Sequence, residues 1–215
     1  MKLPREQRLL LAGAAGNLET VVNDPGDGRR GLALIAHPHP LYGGTLDNKV
    51  VQTLAKAFFA QGCVVVRMNF RGVGASDGVF DEGRGETEDW LQVVQTMHTM
   101  FGPLPVTLAG FSFGAFVQSR VAAQLQPERL VLVAPAVGRF AVERVPVGTL
   151  VVHGEEDDVV PLRDVLDWAR PQTLPVVVIP GAGHFFHGNL IELARIVHNS
   201  CPCPTPVNAE PERRS

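Results

Sequence analysis

Much is scarce in this chain of 215 residues, and each scarcity excludes something. Basic side chains form no dense block: 19 Lys and Arg lie scattered against 22 Asp and Glu, for a formal charge of −3. That balance speaks against a nucleic-acid partner or an anionic membrane surface. No uninterrupted apolar run approaches the length of a membrane span. Cysteine is limited to Cys63, Cys201 and Cys203, an odd set without zinc-like spacing. They read as unbridged thiols, as expected of a protein in a reducing cytoplasm. Lys2, Arg5 and Arg8 precede the apolar stretch from Leu9 to Gly16, but that stretch is short and interrupted by glycine. It reads as an opening strand and not as a signal peptide. There is no internal repeat and no composition break, so one core is expected over residues 1–201. From Pro202 onward the Pro-rich, charged segment lacks apolar periodicity and is expected to be a flexible tail, residues 202–215.

Between these limits the apolar pattern alternates. Two segments before Gly31 are expected to pair as an antiparallel hairpin. Leu32–Ala36, Cys63–Met68, Val106–Ala109, Leu130–Val133, Thr149–Val152 and Pro175–Ile179 are short, nearly continuous apolar runs of buried-strand type. Helical spacing separates them at Val50–Ala60, Glu86–Met100, Ala115–Leu125 and Leu162–Ala169, and recurs at Leu190–Val197. Apolar strands alternating with amphipathic helices predict an α/β fold: a mostly parallel, doubly wound sheet covered on both faces.

In such a sheet, chemistry collects where strands end, so the residues after each strand belong together. One strand leads into Gly110-Phe111-Ser112-Phe113-Gly114 and then directly into a helix. A serine on so sharp a turn is exposed above the sheet edge, and the flanking glycines let strand and helix pass closely. Taken alone the pattern is weak in a glycine-rich chain. Two later strand ends strengthen it: one carries Glu155, Glu156, Asp157 and Asp158, the other His184 and His187. A serine hydroxyl needs a base to take its proton, and the base needs an anion to fix its tautomer. Serine, acid and histidine are all present, although Ser112 would also serve as a plain helix N-cap. An earlier strand end carries His37-Pro38-His39-Pro40-Leu41-Tyr42. His-x-His without a third ligand more often fixes loop backbone than binds metal, so neither a metal nor a cofactor is expected. Arg71-Gly-Val-Gly-Ala-Ser76 lacks the third glycine of a dinucleotide loop and is read as a packing turn.

With G-x-S-x-G at 110–114, Arg71-Gly-x-Gly-x-Ser76, Gly154-x-x-Asp157-x-x-Val160-Pro161 and Gly183-His184, the chain resembles the α/β-hydrolase superfamily over Leu32–Val197. The stretch from His37 to Gly44, with Asp47 to Val51, resembles a small bacterial branch of serine hydrolases related to dienelactone hydrolases and carboxylesterases. The resemblance implies Ser112 as nucleophile, His184 as base and Asp157 as orienting acid, with Asp158 the runner-up and His187 at the surface. It also implies an oxyanion hole from the backbone N–H groups of Phe113 and His39. Only about fifteen residues separate Val133 from Thr149, too few for a cap domain. Leu41, Tyr42, Phe111 and Phe185 are expected to line an open substrate wall. The implied activity is hydrolysis of carboxylic esters of small or medium acyl groups through an acyl-enzyme on Ser112, with a small-molecule ester as partner. Thioester or amide cleavage would use the same parts, and a non-catalytic binding protein on this scaffold is the reading from another class.

Overall fold

Leu32, Leu34 and Ala36 pack into one apolar cluster while Ala33 and Ile35, between them, pack into a second. This two-residue alternation explains a run with no polar break: both faces of the strand are covered, so every position is buried. The computed structural model describes Leu3 and residues 6–200. Its strands are β1 (Glu6–Gly13), β2 (Gly16–Asn23), β3 (Gly31–Ala36), β4 (Cys63–Met68), β5 (Val106–Phe111), β6 (Arg129–Val133), β7 (Leu150–Gly154) and β8 (Val176–Ile179). They form one sheet in the order β1-β2-β4-β3-β5-β6-β7-β8. β1 and β2 form the expected antiparallel hairpin, β2 runs antiparallel to β4, and all other pairings are parallel.

The helices are α1 (Lys49–Ala60), α2 (Arg84–Phe101), α3 (Phe113–Leu125), α4 (Leu162–Ala169) and α5 (Leu190–Ser200). Trp90, Val94 and Met97 of α2 and Phe116, Val117 and Val121 of α3 join the first cluster; Val51, Leu54 and Phe58 of α1 and Leu193 and Val197 of α5 join the second. Residues 134–149, between β6 and β7, contain no helix, and among the described residues no lid covers the carboxyl ends of the strands. Among the described residues no helix is long and apolar enough to cross a membrane.

The Arg71–Ser76 turn is held by polar contacts on both sides. The Arg71 guanidinium donates to both Asp89 carboxylate oxygens at 2.8 and 3.0 Å and to the Gly85 carbonyl at 2.8 Å. Ser76 Oγ donates to the Asn69 carbonyl and accepts from the Glu19 N–H. One expectation is corrected: Cys63 is disulfide-bonded and not a free thiol. Cys201, Cys203 and the expected tail lie outside the described residues.

Candidate active site

β5 ends where α3 begins, and Ser112 occupies the single residue between them. Its φ of 56° and ψ of −116° lie where L-residues rarely sit, a local cost that the surrounding structure must hold in place. The flanking glycines permit this turn by contact. A Cβ on Gly110 would stand 2.3 Å from the Gly114 carbonyl oxygen, and one on Gly114 would stand 2.4 Å from that of Ala36. Backbone occupies both places, so any side chain would force the elbow apart.

The strand ends bring Ser112, His184 and Asp157 together. Ser112 Oγ lies 3.1 Å from His184 Nε2, and His184 Nδ1 lies 2.7 Å from Asp157 Oδ2. The other carboxylate oxygen of Asp157 accepts from the N–H groups of Val159 and Val160 at 2.9 and 2.7 Å. Burial would raise the Asp157 carboxyl, but the hydrogen bonds from His184 and Val160 and the nearby imidazoles outweigh it. The group is held below the ordinary carboxylate range. Asp158, Glu155, Glu156 and His187 are all exposed. His153, buried at the end of β7, hydrogen-bonds through Nε2 to the Val160 carbonyl at 2.9 Å and so braces the acid loop.

The His37–Gly44 loop is fixed just as firmly. His37 is fully buried, and its Nε2 accepts from the Phe70 N–H at 2.9 Å. Its Nδ1 must therefore carry the proton, which it donates to the Pro38 carbonyl at 2.7 Å. In a trans peptide the N–H points opposite to the C=O. The His39 N–H is thus turned away from His37, and it has no acceptor among the described residues; nor has the Phe113 N–H at the start of α3. Burial lowers the His37 pKa to about 4, against a weaker opposing effect of the Pro38 carbonyl.

A sign follows for stability. The unfolded chain takes up the His37 proton near pH 6.5 and the folded chain only near pH 4, so His37 contributes fully above pH 6.5 and progressively less as pH falls. We expect a loss of about 3 kcal/mol from this one group between pH 7 and pH 4, judged from the ordinary worth of a pKa unit. Urea denaturation of the wild type and of His37→Asn at both pH values checks it: the variant should be less stable at pH 7 and show a shallower acid decline. Equal acid declines would contradict it.

A cavity of about 430 Å³ opens over these groups, a size suited to a small-molecule ligand. Pro38, His39, Tyr42, Gly43, Gly44, Asn48, Ser112, Arg139, Val159, His184 and Phe185 line it. Tyr42 and Phe185 therefore stand where a substrate wall was expected. Leu41 is exposed but lies off the lining, and Phe111 is fully buried, its ring 5.0 Å from that of His184. As the last residue of β5, Phe111 points by alternation into the cluster beneath α1 and α5, and it supports His184 from behind. Asn48, Arg139 and Val159 were not anticipated as lining; they come from three separate loops, and no local pattern marks them. Among the described residues, no group of three His, Cys, Asp or Glu side chains is arranged to hold a metal ion.

Similarities to known proteins agree with this architecture. A family model described as serine aminopeptidase, S33, matches residues 42–141, which include Ser112 but neither Asp157 nor His184. An uncharacterized protein of Rickettsia prowazekii is 32% identical over 197 residues, covering 78% of this chain and 77% of that one. The crystal structure of a serine hydrolase without a lid from Xanthomonas campestris superposes with a TM-score of 0.87 at 35% identity, covering 97% of this chain and all of the other. An α/β serine hydrolase homologue from Coxiella burnetii gives a TM-score of 0.85 at 39% identity, covering 94% and 99% of the two chains. With a serine elbow between β5 and α3, no lid after β6, and these relatives along nearly its whole length, the chain belongs to the α/β-hydrolase superfamily, in its branch of lidless serine hydrolases.

Proposed function

We propose that the protein hydrolyses carboxylic esters of small or medium acyl groups through an acyl-enzyme on Ser112. The observation that supports this most is the unbroken hydrogen-bonded sequence from Ser112 through His184 to Asp157, with Ser112 and His184 facing one cavity. His184 Nε2 takes the serine proton as Oγ bonds to the ester carbonyl carbon, then returns it to the departing alcohol as the carbon–oxygen bond breaks. Asp157 holds the proton on Nδ1 and stabilises the imidazolium formed in between. The unpaired N–H groups of Phe113 and His39 would receive the developing oxyanion. Water then enters through the uncovered mouth and hydrolyses the acyl-enzyme by the same steps in reverse roles. The open mouth favours hydrolysis over acyl transfer, and the apolar Tyr42 and Phe185 rings suit an acyl chain of modest length.

Exposing the purified protein to a fluorophosphonate tests this reading. We expect one covalent adduct, located by peptide mass spectrometry on Ser112, together with turnover of short p-nitrophenyl esters. No adduct and no turnover would refute it and favour a binding protein on the same scaffold. The apolar residues from Leu9 to Ala12 are part of strand β1, and a cytoplasmic location is also proposed. The bond at Cys63 removes the argument from free thiols, and cell fractionation decides the point.

A further inference from the structure

The charge of the cavity is opposite to that of the chain. The protein carries −3 formally, yet among the described residues no Asp or Glu lines the cavity, and Arg139 is the one side chain there that is always cationic. Asp157 remains an anion behind His184, but both its oxygens face His184, Val159 and Val160 and it is not part of the lining. The guanidinium has no carboxylate within 4 Å among the described residues. His39, in the same lining, has its pKa lowered first by burial and then by the charge of Arg139. An imidazole whose charged form is disfavoured and a cation without an ion-pair partner among the described residues thus share the wall that holds the nucleophile.

Arg139 is exposed, and packing sets the turn that carries it. It occupies a turn closed by a bridge between Val137 and Phe140, and the Phe140 ring lies 4.9 Å from Phe116, 5.1 Å from Phe113 and 5.8 Å from His39. The turn is therefore anchored on the residue that follows Ser112. A guanidinium offers parallel N–H donors that match a planar carboxylate. One cation compensates one negative charge. A phosphate group, nearer to a dianion at neutral pH, would leave charge unbalanced in a cavity with no second cation.

We propose that Arg139 makes the site selective for esters that carry a free carboxylate at the far end of the acyl chain, that is, half-esters of dicarboxylic acids. This rests on the reading of Ser112 as the nucleophile of an esterase. The test compares kcat/KM for three esters of matched length: monoethyl adipate (anionic), ethyl hexanoate (neutral) and the ethyl ester of ε-aminocaproic acid (cationic). Monoethyl succinate and monoethyl suberate bracket the distance from Ser112. The wild type should favour the best half-ester over the cationic ester by about tenfold at low salt, and less at high salt. Arg139→Gln should bring that ratio close to one, Arg139→Lys should restore part of it, and Arg139→Glu should invert it. A ratio near one in the wild type at all three half-ester lengths, or a ratio unmoved by Arg139→Gln, overturns the proposal. If the protein labels with fluorophosphonate and hydrolyses the anionic, neutral and cationic esters alike, this proposal alone falls. If it neither labels nor turns over any ester, the esterase reading falls with it.

Discussion

Ser112→Ala is expected to lower kcat for p-nitrophenyl butyrate by about 10⁵- to 10⁶-fold and to abolish fluorophosphonate labelling, with little change in melting temperature. Removing the nucleophile deletes the whole covalent route, and what remains is the background from binding and the oxyanion donors. The stability half of this expectation comes from the local geometry. Ser112 precedes α3 in the N-cap position, yet its side chain makes no capping hydrogen bond; Oγ is directed to His184 instead. The substitution therefore removes no helix cap, where loss of a true cap would cost about 1 kcal/mol. Alanine also inherits the same positive φ as serine, with the same Cβ, so the strain of the elbow is unchanged. A structural N-cap would give the reverse pattern, a lower melting temperature with activity retained. Residual turnover within a hundredfold of wild type would remove Ser112 from the nucleophile's role.

Much of this arrangement was legible because strand ends and backbone requirements leave local marks. The run Leu32–Ala36 is apolar at every position because alternate residues serve two covered faces, and Gly110 and Gly114 mark the two places where backbone meets backbone. What escaped the sequence depends on contacts between distant segments. Phe111 adjoins Ser112, which suggested a substrate wall, but strand alternation turns its ring into the core. Arg139 and Val159 reach the cavity from loops after β6 and β7, and nothing in either loop signals a shared destination. α2 begins at Arg84, two residues before the apolar stripe suggests; the Glu86 carboxylate accepts from the N–H groups of Asp81 and Gly83 and so fixes the turn leading into the helix. The acid was legible only by motif, since four consecutive carboxylates look alike until one of them is buried against a histidine.

That burial makes the second large effect specific to one residue. Asp157→Asn should reduce kcat by about 10⁴-fold, while Asp158→Asn, at an exposed position, should stay within about twofold of wild type. The reason lies in how the amide must orient. One carboxylate oxygen of Asp157 accepts from both the Val159 and Val160 N–H groups, so in the variant the amide oxygen keeps that place and the amide nitrogen faces His184. An N–H donor there forces His184 Nδ1 to accept, which moves the ring proton to Nε2, toward Ser112 Oγ. The imidazole then points a proton at the nucleophile and has no lone pair with which to receive one. The fold should survive, because the two backbone N–H groups keep their acceptor and the new side chain has the same size. A crystal structure of the variant should show the ring in place, and a nitrogen-15 NMR spectrum should report the exchanged tautomer. If Asp157→Asn keeps near-normal turnover while Asp158→Asn loses it, the orienting carboxylate is Asp158, and the 2.7 Å contact between His184 and Asp157 has only a structural role.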